Sequence, residues 1–275
     1  MAKAGSKTRA SRSRKLPLEG MRILLTNDDG IHAPGLKVLE KIARELSSDI
    51  WVVAPETEQS GASHSLTLKD PMRLRKISAR KYAVQGTPTD CVLMAIRHIM
   101  VDTLPDLVLS GVNRGQNVAD DVTYSGTIAA AMEGTALGVP SIALSQAFGF
   151  DGKQNVHWAT AQTHAPAIIE KLVGLGWQDG VLMNVNFPDV APQNVGEIDI
   201  TRQGKRDQSL VKIEERLDGQ HNPYYWTGFQ RIRSNPAVGT DLRSIYDGRI
   251  SITPLHLDLS HGPARKKLAQ AFLDE

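Results

Sequence analysis

The feature that most constrains this chain is the order of its apolar segments between residues 21 and 54. An apolar run at residues 21–26 predicts a buried strand. From Gly35 onward, apolar residues recur at helical spacing, with charged residues on the opposite face. A second apolar run occupies residues 49–54. A strand, a helix and a strand in this order predict parallel pairing through a right-handed crossover.

The alternation of helices and strands continues along the chain. The helix at residues 87–100 has strong start signals, with Thr87 at the N-cap, Pro88 in the first turn and Asp90 three residues after the cap. Other segments predict a β-hairpin at 66–84, strands at 106–110, 141–144 and 181–186, and helices at 127–137 and 159–175. This order predicts a doubly wound, Rossmann-like α/β fold with a mostly parallel sheet.

The pattern changes near residue 195. Residues 197–203 and 249–253 predict strands, residues 204–246 hold turns without a long helical stripe, and residues 264–273 predict a final helix. We therefore divide the chain into a tail at 1–20, a Rossmann-like core at 21–195 that carries the candidate site, and a strand-rich extension at 196–275. The extension belongs to the same domain and is expected to include a C-terminal β-hairpin.

The composition limits the class of protein. With 41% hydrophobic residues, the 275-residue chain can bury a full core. Its longest apolar runs are far shorter than the ~18 residues that span a bilayer, so we expect no contact with a membrane. Its one cysteine, Cys91, excludes an internal disulfide framework and predicts a reducing, cytoplasmic location. Cys91 lies in an apolar run, so we interpret it as a core residue and not as a nucleophile.

The formal net charge of +2 hides an uneven distribution. Residues 1–20 hold six Lys or Arg and one acid, and they lack hydrophobic periodicity. They predict a disordered tail, which could contact nucleic acid only weakly. Residues 21–275 hold 26 basic and 29 acidic residues. The body therefore has no general attraction for an anion, and a phosphate bound beside its acidic residues requires a local cation.

Three polar loops follow three apolar strands. They hold Asp28 and Asp29 after the first strand, Ser60 after the second, and Asn113 after a later one. Loops at the carboxyl ends of parallel strands form the crevice where ligands bind, so these four residues are expected to meet. Adjacent carboxylates repel unless a cation neutralises them, and oxygen donors suit Mg²⁺ or Mn²⁺. The alternative is that the two aspartates cap the helix that begins near Pro34.

A candidate anion site follows the third loop. Ser125, Gly126 and Thr127 open a helix whose first backbone N–H groups, together with the two hydroxyls, suit a phosphate. Gly126 would let the phosphate approach the backbone closely, and Asn117 is a further candidate ligand. The alternative is an ordinary Ser/Thr cap of the helix.

Three other side chains lie in or beside these loops. Arg114 is either a source of positive charge or a solvated residue at the rim. His32 and His64 are candidate acids or bases. Asp28 or Asp29 could itself orient or deprotonate an attacking water, in addition to binding a cation.

Short motifs occur along the chain in a fixed order: LLTNDDG at 24–30, QSG at 59–61, GTP at 86–88, SGVNRGQN at 110–117, YSGT at 124–127, TD at 240–241 and SITPL at 251–255. Together they resemble the SurE survival-protein family of metal-dependent 5′/3′-nucleotidases. The resemblance implies hydrolysis of nucleoside monophosphates, and in some members of polyphosphate. It also implies one divalent cation per subunit, with Asp28, Asp29, Ser60 and Asn113 as its ligands. A homodimer or homotetramer with swapped C-terminal elements is implied too, so the hairpin extension would serve oligomerisation.

Two alternatives remain at this stage. A haloacid-dehalogenase-like phosphatase with an aspartyl-phosphate intermediate would need an acid where Asn27 stands. A non-catalytic nucleotide- or RNA-binding protein would use the basic tail. A nicotinamide oxidoreductase is disfavoured, because no G-x-G-x-x-G motif follows the first strand. Tyr224, Tyr225 and Trp226 could stack a base, although we favour their packing in a subunit interface.

Overall fold

The computed structural model describes residues 16–149, 155–206, 211–229 and 235–273. In chain order its elements are β1 (Arg22–Thr26), α1 (Pro34–Arg44), β2 (Asp49–Pro55), β3 (Leu74–Ser78), β4 (Lys81–Val84), α2 (Pro88–Met94), β5 (Leu107–Arg114), α3 (Gly126–Ala136), β6 (Ser141–Gln146), α4 (Trp158–Leu175), β7 (Val181–Phe187), β8 (Ile198–Ile200), β9 (Val211–Leu217), β10 (Pro223–Phe229), α5 (Asp241–Tyr246), β11 (Ile250–His256) and α6 (Gly262–Ala271). A π-helical turn, Ala95–Ile99, extends α2, and a 3₁₀ turn, Ala119–Thr123, precedes α3.

Nine strands form one sheet in the order β3-β4-β2-β1-β5-β6-β7-β11-β8. β1 pairs in parallel with β2 and β5, and β5, β6 and β7 continue in the same direction. β3 runs antiparallel to β4, and β11 runs antiparallel to β7. The predicted doubly wound, mostly parallel sheet is therefore confirmed. Its strand order reverses between β1 and β5, which places a ligand-binding crevice outside the carboxyl ends of these two strands.

Helices cover both faces of the sheet. Leu25 of β1 packs in the core beneath α1 and α4, whereas Leu24 packs in the core beneath α2 and α3. Successive side chains on a strand point to opposite faces, so one short apolar run supplies both cores. Because both faces are covered, β1, β2 and β5 each contain a continuous apolar run, whereas β7 alternates apolar residues with Asn184 and Asn186.

The crossover from β6 through α4 to β7 has the opposite hand to the first crossover. In the sheet, the chain steps from β1 to β2 in one direction and from β6 to β7 in the other direction. Helices α1 and α4, which make these two connections, nevertheless pack on the same face of the sheet. α3, which links β5 to β6, packs on the other face. Gln146 helps to hold α4 in place, because it accepts a hydrogen bond from Ala161 N over 3.2 Å and donates to Pro188 O over 2.8 Å.

The start of helix α2 confirms the predicted cap. The Thr87 hydroxyl accepts a hydrogen bond from Asp90 N, and the Asp90 carboxylate accepts one from Thr87 N, with distances of 3.1 and 2.8 Å. Asp90 also accepts two hydrogen bonds from Thr67, through its backbone N–H and its hydroxyl. Asp90 of the capping box therefore also holds Thr67, which lies in the same segment between β2 and β3 as Ser60.

Several predicted boundaries are shifted. The hairpin predicted at 66–84 begins at Leu74, and the strand predicted to end at residue 110 continues to Arg114 beyond an irregularity between Ser110 and Asn113. The predicted tail extends too far, because Leu18 is buried and its N–H donates to Leu46 O over 2.8 Å. The rest of the predicted tail, residues 1–15, lies outside the described residues.

The predicted C-terminal β-hairpin is confirmed, and it lies in the segment 204–246, whose sequence shows turns and no long helical stripe. Strands β9 and β10 pair antiparallel as a hairpin, and within the described ranges they pair with no other strand. Tyr224, Tyr225 and Trp226 are exposed on this hairpin. Helix α5 follows and was not predicted, since six residues are too few to show a helical stripe. None of the described helices is both long and apolar enough to cross a membrane.

Candidate functional site

Asp28 lies at the centre of the crevice, two residues beyond β1. Its side chain is buried, and Thr127 of α3 donates its hydroxyl hydrogen to Asp28 Oδ1 over 2.6 Å. A Cβ atom on Gly126 would lie 2.8 Å from Asp28 Cβ. The Asp28 carbonyl accepts a hydrogen bond from Gln59 N over 2.8 Å. The first aspartate is thus enclosed by the first turn of α3 on one side and by the β2 loop on the other.

Burial changes the protonation of Asp28. It raises the pKa of Asp28 from 3.8 to about 6, the hydrogen bond from Thr127 acts to lower it, and the charge of Asp29 raises it. Water is excluded from this carboxylate, so its negative charge is costly without a neighbouring cation. No Lys or Arg side chain among the described residues forms an ion pair with it.

Asp29 is partly exposed beside Asp28. Its Oδ2 accepts a hydrogen bond from Arg114 N over 3.3 Å, which joins the end of β1 to the end of β5. Burial raises the pKa of Asp29, the bond from Arg114 lowers it, and the nearby charge of Glu58 raises it. Each aspartate is therefore repelled by a neighbouring carboxylate, Asp28 by Asp29 and Asp29 by Glu58, and a bound cation would offset this repulsion.

The alternative that these aspartates cap α1 is wrong. The N-cap of α1 is Ala33, and no side chain caps this helix end. Pro34 at the first helical position has no N–H to satisfy, which reduces the need for a cap. The Asp28 and Asp29 side chains instead contact α3 and β5.

Asn113 and Ser60 flank the two aspartates. Asn113 donates from Nδ2 to Gly115 O over 2.8 Å, which leaves its Oδ1 as the oxygen available to a cation. Ser60 is exposed, and its hydroxyl donates to Glu58 Oε1 over 2.9 Å. Among the described residues, no group of three or more His, Cys, Asp and Glu side chains could hold a metal ion. A cation here would depend on two carboxylates completed by neutral oxygen donors.

The first turn of α3 provides backbone donors next to Asp28. Ser125 accepts a hydrogen bond from Ile128 N over 3.1 Å, so it is an ordinary helix cap as the alternative prediction held. The described residues supply no acceptor for the N–H group of Gly126, whereas the N–H group of Thr127 bonds to the Asp28 carboxylate and lowers its pKa. Thr127 is fully buried, and its hydroxyl is already used on Asp28. The donors available to an anion are therefore backbone N–H groups beside a capped helix end.

Asn117 belongs to a buried polar network that the sequence analysis missed. Asn117 N donates to Asn186 Oδ1 over 2.8 Å, and Asn117 Nδ2 donates to Ser145 Oγ over 3.0 Å. Asn184 donates to Asn117 O over 2.8 Å. The available signal was the pair of asparagines two positions apart in the apolar run of β7, which must share one face. This network holds the loop between β5 and α3 over the ends of β6 and β7.

The other candidates lie around the rim. The Arg114 guanidinium packs 4.4 Å from the centre of the Phe148 ring. His64 Nε2 lies 3.0 Å from Glu133 Oε2 on α3, and the neighbouring Ser63 hydroxyl donates to Thr123 O over 2.8 Å. His32 is exposed. Among the described residues, neither histidine is hydrogen-bonded to Asp28 or Asp29, so the geometry favours neither as the acid or the base.

Known proteins resemble this chain over most of its length. A family model described as survival protein SurE matches residues 23–210. A protein from Parvibaculum lavamentivorans named 5′-nucleotidase SurE is 66% identical over 272 residues, covering 99% of this chain and 94% of its own length. One of the same name from Methylorubrum extorquens is 60% identical, covering 92% of this chain and 99% of its own length. The crystal structure of the SurE protein from Aquifex aeolicus superposes with a TM-score of 0.79 at 37% identity, covering 92% of this chain and 100% of that one.

Proposed function

Because this chain belongs to the SurE survival-protein family, we propose that it is a 5′-nucleotidase, which hydrolyses nucleoside monophosphates to nucleoside and phosphate. The observation that carries the proposal is the contact of Asp28 with the first turn of α3. Adjacent carboxylates and the first backbone N–H groups of α3 meet at this point. One side of the site therefore suits a cation and the other a phosphate.

The residues at the site fit a hard divalent cation. Burial raises the pKa values of both aspartates, and all the nearby candidate ligands are oxygen donors. We assign Asp28, Asp29, Ser60 and Asn113 to one Mg²⁺ or Mn²⁺ per subunit. Ser60 would have to release its bond to Glu58 in order to bind. When bound, the cation would polarise the phosphoryl group and lower the pKa of a water molecule.

The protein itself would orient the phosphate. Ser125 caps the positive end of α3 by accepting a hydrogen bond from Ile128 N. The N–H group of Gly126 would bind the phosphate, and that of Thr127 would join it on releasing the Asp28 carboxylate. Gly126 has no side chain to separate the phosphate from the backbone. Asn117 would contribute from the loop that its buried network holds in place.

The reaction is then a displacement at phosphorus. The water oxygen attacks phosphorus, and the ester P–O bond breaks. The leaving ester oxygen takes up a proton, so the nucleoside leaves as its alcohol and the net reaction adds one water molecule. Asp28 or Asp29 would orient the water and accept its proton, because these are the carboxylates that lie beside the phosphate-binding turn. The same chemistry extends to 3′-nucleotides and to polyphosphate, whose terminal phosphoryl group presents the same oxygens.

A haloacid-dehalogenase-like mechanism has less support. Asn27 stands where that mechanism needs an acid, and it donates from Nδ2 to Gly30 O over 3.0 Å to shape the turn.

A purely nucleotide- or RNA-binding role would depend on the basic tail, most of which lies outside the described residues. Deleting residues 1–15 should leave phosphatase activity unchanged if that tail is accessory.

The test is phosphate release from purified protein. A panel of 5′- and 3′-nucleoside monophosphates, with polyphosphate alongside, is incubated after EDTA treatment and again after Mg²⁺ or Mn²⁺ is restored. We expect release that requires the metal and favours nucleoside monophosphates. Absence of release from every nucleotide in the presence of both metals would overturn the proposal.

We further propose that the enzyme is a cytoplasmic homodimer or homotetramer. The β9–β10 hairpin exposes Tyr224, Tyr225 and Trp226, and no described strand pairs with it. Large exposed aromatic side chains are typical of subunit interfaces. The single cysteine, Cys91, is buried and unpaired, which suits a reducing compartment. Light scattering of the purified protein would give the subunit number.

A further inference from the structure

We propose that Arg206 and Asp241 are positioning residues for the reaction, which hold the turn Ala119–Thr123 and so set the first turn of α3 against Asp28. The inference rests on the proposed function, because it concerns how the phosphate-binding N–H groups are held. Among the described residues, neither Arg206 nor Asp241 is hydrogen-bonded to a candidate metal or phosphate ligand. Both reach the site only through the turn, which they contact from the C-terminal part of the chain.

Asp241 is a buried carboxylate that joins three segments. Its oxygens accept hydrogen bonds from Ala119 N over 2.9 Å, Gly204 N over 2.8 Å and Leu242 N over 2.7 Å. Ala119 has a φ of 54°, in the left-handed region that a residue with a Cβ adopts at a cost. A charged acceptor aimed at its N–H offsets that cost. Asp241 therefore fixes the start of the turn in a conformation that it would otherwise seldom adopt.

Arg206 fixes the rest of the turn. Its backbone N–H donates to Asp120 Oδ2 over 2.8 Å, and its guanidinium forms a two-point ion pair with Asp121 through Nε and Nη2. Only 10% of the Arg206 side chain and 19% of the Asp121 side chain are exposed. Gln203 adds a hydrogen bond from Nε2 to Ala119 O over 2.8 Å. Residues 203–206 thus bond to three consecutive positions of the turn.

The turn passes this constraint to the helix. Asp121 O accepts hydrogen bonds from Tyr124 N over 3.0 Å and from Ser125 N over 3.1 Å. Ser125 is the cap of α3, and Gly126 lies against Asp28. A continuous path of contacts therefore leads from Arg206 through Asp121 and the cap to the catalytic aspartate. A displacement of the turn would move the phosphate-binding N–H groups relative to that aspartate.

Loss of the guanidinium would leave a buried charge without a partner. Burial raises the pKa of Asp121, and Arg206 lowers it through hydrogen bonds and charge. An unpaired carboxylate in this position moves towards water, because a buried charge is costly without its partner. We therefore expect Arg206→Gln to shift the turn. Among the described residues, the hydrogen bonds of Arg206 go to Asp120 and Asp121 of the turn, so the sheet should keep its structure.

The test compares Arg206→Gln with the exchanged pair Arg206→Asp/Asp121→Arg and with the control Arg243→Gln. Arg243 forms an arginine–aspartate pair with Asp247 at 2.8 Å, and among the described residues its side-chain hydrogen bonds go to Asp247 and Asn235 and not to the turn. We expect Arg206→Gln to raise KM for a nucleoside monophosphate and the inhibition constant of inorganic phosphate together, on the order of tenfold, because small displacements of a binding group have effects of this size. The exchanged pair should recover most of the loss, and the control should match wild type. Thermal midpoints confirm that each variant is folded.

Two results would overturn the positioning role. One is a folded Arg206→Gln variant with wild-type KM and phosphate inhibition, and the other is a loss that the exchanged pair does not reverse. If Arg206→Gln does not fold, Gln203→Ala should show the same joint increase on a smaller scale, and its absence would also overturn the role. Amide hydrogen exchange at residues 119–128 tests the idea independently of turnover, since Arg206→Gln should accelerate it. Wild-type protein that releases no phosphate would reject the proposed function while the exchange measurement still tests the positioning role.

Discussion

Thr127 donates its hydroxyl hydrogen to Asp28 Oδ1 over 2.6 Å, and so joins two residues that lie 99 positions apart. The bond makes the carboxylate at the end of β1 and the first turn of α3 one structural unit. Thr127 is fully buried, and both its hydroxyl and its backbone N–H bond to the Asp28 carboxylate. The proposed cation ligand Asp28 and the proposed phosphate-binding turn are therefore joined directly.

Asp28→Asn should lower phosphatase activity by roughly 1,000-fold or more, because a bound metal supplies several kcal/mol of transition-state stabilisation. The variant keeps the size of the side chain and an oxygen that can accept the Thr127 hydrogen bond. Phosphate release with Mn²⁺ present measures the effect, with Asp102→Asn, a change at an exposed position, as the control. Hydrolysis of AMP by Asp28→Asn at the wild-type rate would show that the metal assignment is wrong.

The same substitution should change the pH dependence of stability in the absence of metal. The pKa of Asp28 is about 6 in the folded protein and 3.8 as its ordinary value, so the folded state binds the proton more tightly. The bound proton therefore stabilises the folded state. This stabilisation is fully present below about pH 4 and is lost as the pH rises to about 6, at ~1.4 kcal/mol for each pH unit. Relative to wild type in EDTA, Asp28→Asn should therefore gain up to ~3 kcal/mol between these pH values.

Urea unfolding of both proteins at several pH values measures that difference directly. The comparison cancels the other buried acids, such as Asp121 and Asp241, which titrate in both proteins. A difference that stays constant from pH 4 to pH 7 would mean that burial does not disfavour the charged form of Asp28.

Gly126→Ala should impair activity more than stability. A Cβ atom there would lie 2.8 Å from Asp28 Cβ and 3.1 Å from Asp28 Oδ2, so the carboxylate must move. We expect kcat/KM to fall by roughly 100-fold, the effect of misplacing a reacting group by about 1 Å. Gly174→Ala is the matched control, because it lies in helix α4 with no atom within 4 Å of an added Cβ. The control should gain up to ~1 kcal/mol of stability and keep full activity, and equal activities of the two variants would contradict the contact.

Asn186→Ala should destabilise the fold by ~1–3 kcal/mol, because it leaves buried groups of Asn117 and Asn184 without partners. Asn194→Ala, at an exposed position, should change stability by less than ~0.5 kcal/mol. Chemical denaturation of the two variants gives the comparison. Equal midpoints would show that the asparagine network does not hold the loop.

The sequence by itself determined the alternation of strands and helices and the polar residues that follow the strands. The apolar run of β1, the helical stripe of α1 and the capping box at Thr87 are local patterns, and local patterns follow from periodicity and capping. The same logic identified the candidate ligands, because polar residues after buried strands must lie at one edge of a parallel sheet. Their assignment to a metal and a phosphate remains a prediction for the experiments above.

Only the tertiary structure decided how these parts meet. The face that α4 covers, the bond from Thr127 to Asp28, and the contacts of Arg206 and Asp241 with the turn before α3 all join residues far apart in the chain. The spacing of apolar residues along the chain does not predict such contacts, because each contact depends on which surfaces remain to be buried once the sheet has formed. The raised pKa of Asp28 has the same origin, since the burial that causes it comes from the packing of α3 and the β2 loop around a residue that its own sequence leaves in a turn.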